Sequence, residues 1–393
     1  MVAPNLNFSL PEYQARLTKT RAAMAAAGVD TLLTSDPSNM NWLTGYDGWS
    51  FYVHQGVLLG MEGDPIWWGR GIDAAGARRT AWLPDDNIAG YDDRFVQATD
   101  CHPMEDLATL LKGRGWHNGV LGVEMDNYWY TAKAHAVLAQ SLPNATLKDA
   151  TGLVNWQRLI KSDQEIAYIR RAARIVEAMH ARIVELIEPG LAKNELVAEI
   201  LATATRGADG HWGDYAAFAP MVPGGMDATA PHLTWDDSPY RDGESAFFEI
   251  GGCHKRYHCP QSRTVFLGTP PQKYLDAEKA VLEATEIGLA MAKPGVTCGE
   301  MADAFFDALG ERGFVKDNRT GYSIGLSYPP DWGERTISLR RGDDTPLQPG
   351  MTIHFMPALW LDDGAIEITE TVLITESGHE CLCDTPREMV VKG

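Results

Sequence analysis

The sequence predicts a two-domain α+β protein, in which a smaller α/β layer domain leads into a larger α+β domain. Three observations carry this expectation. A chain of 393 residues exceeds the usual size of one domain. Helix and strand signals alternate up to about residue 155. Beyond it the order becomes helix pair, strands, helix pair, strands, an internal repeat of element type without identity of sequence.

Taken in order, "PEYQARLTKTRAAMAAAG" has helical spacing and ends at Gly28, a natural cap. "VDTLLTS" reads as a short buried strand, and "DPSNMNWLTGYDGW" as a turn-rich loop. "QGVLLGM" and "DPIWWGR" flank the turn "EGD" as a hairpin. "GVLGVEM" and "ATLKDAT" are further strands, with the helix "TAKAHAVLAQSL" between them. Ser162 followed by Glu165 is a capping-box pattern that opens a long helix running to Pro189-Gly190. The helix "KNELVAEILATATRGAD" follows, then the strands "SAFFEIGG" and "QSRTVFLG". Two helices, "QKYLDAEKAVLEATEIGLAMA" and "TCGEMADAFFDALGERG", precede the closing strands "GMTIHFMPALW" and "AIEITETVLITES".

Composition narrows the function classes. Apolar content of 45% with 22% charged residues is that of a globular protein. A formal net charge of -19 argues against nucleic acid as a partner, because phosphate binding needs clustered Lys and Arg. The N-terminal stretch lacks the pattern of a signal peptide, and no run approaches the ~18 apolar residues of a membrane span, so the expected location is cytoplasmic. Six cysteines occur without a CxxC pair, which disfavours a disulfide framework; Cys381 and Cys383 read as small apolar residues of a strand.

Four stretches hold the chemistry. "MVPGGMDATAPHLTWDDSPYRDGES" places His232 in a loop before a strand, and "FFEIGGCHKRYHCPQSRTV" ends an apolar strand on Glu249. "NRTGYSIGLSYPPDWGERT" is a Gly-punctuated loop holding Tyr322, Tyr328, Trp332 and Arg335. "GMTIHFMPALWLDDGAIEITETV" holds His354, Trp360, Glu367 and Glu370. A carboxylate ending an apolar strand is costly without a partner, so a purely structural role for Glu249 needs one such as Arg263. His354 in "TIHFM" fits a satisfied core histidine as well as a substrate contact. His254 and His258, interleaved with Lys255, Arg256 and Tyr257, read as structural or solvated.

The order, spacing and flanks of these stretches, together with the interdomain "IKSDQEIAYIRRAA", resemble the pita-bread superfamily of methionine aminopeptidase, aminopeptidase P, prolidase and creatinase. The resemblance covers nearly the whole chain. It implies a creatinase-type, ribonuclease H-like N-terminal domain over residues 1–157 and a pita-bread catalytic domain over residues 158–393. In such two-domain enzymes a loop of the first domain reaches the partner subunit's site in a homodimer. That loop would be the one bearing Trp49, Phe51 and Tyr52.

The metallopeptidase members hold two metal ions with two Asp, one His and two Glu. The first Asp falls on Glu249 and the second on Pro260. The His of "GHGIG" falls on Tyr322 in "GYSIG", the Glu of "EPG" on Met356, and the last Glu on Thr369, beside Glu370. Such a set would not hold the metals, so the resemblance implies no metal and no other cofactor. His232 falls on the histidine that creatinase uses as its acid–base residue. The implied site is catalytic Glu249, His232 and Glu370, with Trp49, Phe51, Tyr52, Tyr322, Tyr328, Trp332, Arg335, His354 and Trp360 around the substrate.

Within the superfamily, "NMNWLTGYDGWSFYVHQGVLLGMEGDPIWWGRGIDAAGARRTAWLPDDNIAGY" and "FFEIGGCHKRYHCPQSRTVFLG" look most like the ectoine hydrolases. This implies hydrolysis of a cyclic amidine, ectoine or hydroxyectoine, to an N-acetyl-diaminobutyrate, with a downstream deacetylase as a possible partner. A delocalised amidinium stacks on Trp or Tyr faces and pairs with a carboxylate. The competing expectations are a creatinase-like amidinohydrolase on another small zwitterion, a dimethylsulfoniopropionate lyase, and a pita-bread binding protein without catalysis.

Overall fold

A computed structural model describes residues 4–393. The chain divides after Arg158 into two compact units, the second being Leu159–Gly393.

The first unit holds helices α1 (Leu10–Ala27), α2 (Pro37–Thr44), α3 (Ala74–Thr80), α4 (Pro103–Gly113), α5 (Ala132–Ser141) and α6 (Leu153–Arg158). Its strands are β1 (Thr31–Thr34), β2 (Gly56–Gly60), β3 (Ile66–Arg70), β4 (Ile88–Tyr91), β5 (Gly119–Val123) and β6 (Ala145–Asp149). They form one mixed sheet in the order β4-β3-β2-β1-β5-β6. Alternation of side chains separates two cores. Leu32, Leu59 and Trp67 pack with Leu17 and Met24 of α1 and Val154 of α6 on one face. Leu33, Leu58 and Trp68 pack with Leu107 of α4 and Leu138 of α5 on the other. Burial on both faces explains why these strands are continuous apolar runs.

One expectation is corrected here. The stretch expected as a loop contains α2: Asp36 caps it by accepting from the Ser38 N–H, Pro37 occupies its first turn, and Gly45 ends it at φ 80°. In a helix of eight residues the cap residues are a large share of the whole, so its composition reads as a turn.

The second unit opens with α7 (Asp163–Leu186), whose capping box between Ser162 and Glu165 is formed, and α8 (Lys193–Arg206). Then come β7 (Ser245–His254), β8 (Tyr257–Leu267), α9 (Gln272–Met291), α10 (Cys298–Glu311), β9 (Gly321–Ile324) and β10 (Gly333–Ser338). The chain closes with β11 (Thr352–Phe355), β12 (Ala358–Leu361), β13 (Gly364–Glu367), β14 (Glu370–Ile374), β15 (His379–Cys381) and β16 (Val390–Lys392). The sheet β10-β9-β11-β14-β15 carries α9 and α10 through a core that includes Val281, Phe305, Ile353 and Phe355. β16 joins the β7–β8 hairpin, and β12–β13 forms a separate hairpin. Gly252 of β7 lies so close to α7 that a Cβ would stand 2.0 Å from the Ala172 carbonyl oxygen, so that face of the hairpin is sealed by the helix. All six cysteines are free, with the Sγ atoms of Cys259 and Cys383 3.5 Å apart. No described helix is long and apolar enough to cross a membrane.

Candidate active site

The site is built on the β7–β8 hairpin. Ten residue pairs, from Ser245↔Phe266 to His254↔Tyr257, hold the register. The two loop residues, Lys255 and Arg256, take left-handed φ of 54° and 66°, the conformation that matches strand twist in a two-residue hairpin. Side-chain alternation then gives each face one chemistry.

The rear face, against α7, carries Phe248, Ile250 and Arg263. Arg263 donates to Glu370 Oε1 at 2.7 Å and to the carbonyls of Ser262, Thr369, Thr385 and Pro386. Arg387 Nε adds a donor to the same Glu370 oxygen at 3.0 Å. Glu370 is thus the anion of a buried ion-pair hub, on the opposite face from Glu249. The structure does not bring the expected catalytic Glu370 against Glu249: between β13 and β14 the chain turns Thr369 toward His354 and Glu370 toward Arg263 and Arg387. By the same alternation Arg263 is not the partner of Glu249.

The front face carries Glu249, Gly251, Pro260 and Ser262. Glu249 is buried, and among the described residues no donor or cation touches its carboxylate; burial first, then the nearby Glu367, pushes its pKa well above the ordinary range. Ser262, opposite Glu249 in the register, donates from Oγ to Glu367 Oε2 at 3.1 Å. Burial raises the Glu367 pKa to about 7, against the opposing effects of that hydrogen bond and of Lys316. Lys316, on the loop between α10 and β9, holds its ammonium 4.7 Å from the Trp360 ring centroid and donates to Asn318 at 2.7 Å. Desolvation lowers its pKa to about 8, while Glu367 and Glu249 oppose the shift. The sequence reading missed Glu367 and Lys316 as a pair. The available signal was that Glu367 and Thr369, two apart, share a strand face that Glu370 cannot share.

Aromatics wall this space. Gly251 lacks a side chain where a Cβ would lie 2.9 Å from Trp332 Cζ3, so the indole rests on the hairpin. Trp332 Nε1 donates to the Tyr322 hydroxyl at 2.7 Å, and its ring lies 4.9 Å from Phe218. His354 sits between Tyr322 and Thr369, at 3.3 Å and 2.9 Å, and burial lowers its pKa to about 3. Trp360 Nε1 is buried without a hydrogen-bond partner among the described residues. His232 lies on the exposed loop ahead of β7, its ring 6.4 Å from Phe218 and so at the solvent edge of the same wall.

Other expected residues lie elsewhere. Tyr328 is buried beside the hairpin turn, with the Arg256 guanidinium 5.5 Å from its ring, and Arg335 is an exposed residue of β10 at φ 57°. The structure brings neither against Glu249. In the first unit the Trp49 and Phe51 rings meet at a tilt of 51° with centroids 4.8 Å apart, while Phe51 and Tyr52 line a cavity of about 270 Å³ with His54, His102, Tyr128 and Trp129. His258 is a structural residue: the Ala217 N–H donates to its Nε2 at 2.8 Å, its Nδ1 meets the Arg256 carbonyl at 3.0 Å, and burial lowers its pKa to about 4.

The five positions at which pita-bread metallopeptidases bind metal do not fit such a centre here. Glu249 is the one carboxylate among them; Pro260, Tyr322, Met356 and Thr369 are the rest, and Tyr322 and Thr369 are already engaged with Trp332, His354 and Ser262. Among the described residues no three His, Cys, Asp or Glu side chains gather as a metal cage.

Comparison with known proteins agrees with this architecture. Residues 167–376 match the metallopeptidase family M24 and residues 16–160 the creatinase/prolidase N-terminal domain. The chain is 57% identical to the ectoine hydrolase of Halomonas elongata over 100% of both proteins. It is 43% identical to an uncharacterised hydrolase/peptidase of Sinorhizobium fredii, covering 98% of this chain and 99% of that protein. A solved prolidase of Thermococcus sibiricus superposes with a TM-score of 0.85 at 19% identity, over 98% of this chain and 100% of that one, a likeness of fold. From its pita-bread hairpin to its N-terminal layer, the chain belongs to the M24 metallopeptidase family, in the two-domain creatinase/prolidase form.

Proposed function

We propose that this protein hydrolyses the cyclic amidine of ectoine to an N-acetyl-diaminobutyrate without a metal ion. The observation that carries the reading is Glu249: a buried carboxylate with no hydrogen-bond partner among the described residues, beside Glu367, where metallopeptidases of this fold place metal ligands. Full-length identity of 57% to an ectoine hydrolase supports the substrate.

A protonated amidine is cationic, and its ring carbon is electrophilic without a Lewis acid. The charge matches two glutamates, and the flat delocalised ring matches the faces of Trp332 and Trp360. Glu249 attacks the amidine carbon or positions water for that attack. Glu367 takes the ring N–H and favours the cation. His232, at the open edge, carries a proton to the leaving ring nitrogen. The same reading makes the protein a cytoplasmic homodimer in which Trp49, Phe51 and Tyr52 complete the partner's site. Creatine-like zwitterions, dimethylsulfoniopropionate and a purely binding role find no comparable support.

The test is ring opening followed by NMR on enzyme stripped of metal and kept under chelator. Ectoine should open, and Glu249→Gln should lose about 10³-fold or more in kcat, the scale of a lost nucleophile or base. Activity that returns only with added iron, zinc or manganese would reject the metal-free mechanism. Near-normal turnover of Glu249→Gln would reject the role of Glu249.

A further inference from the structure

Hydrogen-bond accounting behind the site fixes the direction in which one proton points. Trp332 Nε1 can only donate, so the Tyr322 oxygen accepts from it at 2.7 Å. The backbone N–H of Ser262 donates to Thr369 Oγ1 at 2.7 Å. His354 bridges the two hydroxyls, with Nε2 2.9 Å from Thr369 Oγ1 and Nδ1 3.3 Å from the Tyr322 oxygen. His354 and Thr369 are both 0% exposed. Burial holds the imidazole neutral, so it has one N–H and one acceptor nitrogen.

Two protonation patterns then compete. With the proton on Nε2, Thr369 Oγ1 would accept twice and its own proton would meet no acceptor among the described residues, a cost in a site closed to water. With the proton on Nδ1, Thr369 donates to Nε2 and Nδ1–H donates to Tyr322, so the one proton left over is that of the phenol. Tyr322 is 9% exposed where Thr369 is 0%, so the second pattern leaves its spare proton on the residue that can still meet solvent or substrate. In it the Tyr322 oxygen has used both lone pairs as an acceptor, and its own proton must leave the cluster. Its surroundings include the Glu249 carboxyl, one of the groups whose charge the phenol senses, and the guanidinium of Arg319 lies 4.3 Å from the phenol ring, which favours donation.

We infer that Tyr322 is a catalytic residue whose hydroxyl proton is committed, by Trp332 on one side and the Thr369–His354 pair on the other, to the oxygen that forms on the substrate's amidine carbon. This deepens the reading proposed above and rests on it. In the water route, oxygen adds to the carbon while the C=N π pair withdraws to nitrogen. One water proton passes through the Glu249 carboxylate and His232 to the ring nitrogen that leaves. The C–N bond breaks with its pair on that nitrogen, the remaining hydroxyl proton follows to the released amine, and the oxygen becomes the amide carbonyl. Tyr322 forms no covalent bond; its O–H donates to that oxygen as charge gathers on it. His354 and Thr369 are positioning residues, acting only through the phenol.

The test compares Tyr322→Phe and His354→Phe, singly and together, in ectoine opening. Tyr322→Phe should lose about 10²–10³-fold in kcat with little change in KM, the scale of one lost oxyanion donor. His354→Phe should lower kcat in the wild-type background and add nothing in the Tyr322→Phe background. Wild-type kcat in Tyr322→Phe, or fully additive losses, would overturn the inference while leaving ectoine hydrolysis standing. An inert wild-type enzyme would sink the substrate reading instead. Two-bond 1H–15N spectra of histidine-labelled wild-type protein read the tautomer without any variant. Protonation at Nδ1 of His354 is expected, and protonation at Nε2 would overturn the chain as drawn.

Discussion

Glu249 and Glu367 stand close together in a space walled by Phe218, Tyr322 and Trp332, with Lys316 as the nearby cation of the set. Two carboxylates in one low-dielectric site cannot both ionise freely, so their protons are shared out at a higher pH than usual. This has a stability consequence with a definite sign. The folded Glu367 has a pKa of about 7, above the ordinary 4.5, so the folded state keeps a proton that the unfolded chain has released. That contribution is present below about pH 4.5 and is lost as pH rises through 7. Glu367→Gln keeps the shape and cannot ionise. It should match wild type in acid and gain up to about 3 kcal/mol by pH 8, while losing activity. Thermal melts of both proteins across that range check it, and a difference independent of pH would contradict it. Greater stability with less function is the usual mark of a strained site.

At the scale of elements, the β7–β8 hairpin acts as a partition. Its rear face meets α7 and the Arg263–Glu370 hub; its front face carries Glu249, Gly251 and Ser262. Gly251 is where the partition is thinnest. A methyl group there would press on Trp332 at 2.9 Å and push the indole off Tyr322. Because displacement of site groups by about 1 Å can cost about 10²-fold, Gly251→Ala should lower kcat on that scale while the melting temperature falls by only a few degrees. A parallel collapse of both would mean that Gly251 serves folding alone. The hairpin itself was legible from "SAFFEIGG" and "QSRTVFLG", since a buried strand and its return announce themselves by composition. The division of its polar residues was not, because one residue of register moves every side chain to the other face. From the sequence alone, Glu367 and Glu370 are equally eligible to stand beside Glu249, and only the register separates them.

For the whole molecule the largest electrostatic fact is the net charge of -19, which opposes compaction by self-repulsion. Screening shortens the reach of that repulsion from about 10 Å at 0.1 M salt to about 3 Å at 1 M. The melting temperature should therefore rise from dilute buffer to about 1 M sodium chloride. The ion pairs that salt weakens most are exposed ones such as Arg341 with Asp303 and Asp307, which contribute little, whereas Lys161–Glu334 and Arg263–Glu370 are buried. A fall in melting temperature with salt would show that surface pairs outweigh the net charge.

The sequence by itself determined the two-part organisation, the long helix opened by Ser162, the two strands of the β7–β8 hairpin, and the residue types, Pro260, Tyr322 and Met356, that stand where the resemblance expects metal ligands. These are properties of local pattern, residue type and motif order, and they survive without coordinates. Only the tertiary structure decided which carboxylate faces which. Glu249, Glu367 and Lys316 come from three separate segments, and their encounter depends on strand register and loop course. The proton direction along Thr369, His354 and Tyr322 is likewise tertiary, because it follows from counting donors and acceptors brought together from β9, β11 and the turn before β14. Periodicity shows which face of an element is buried; burial alone does not say what it will meet there.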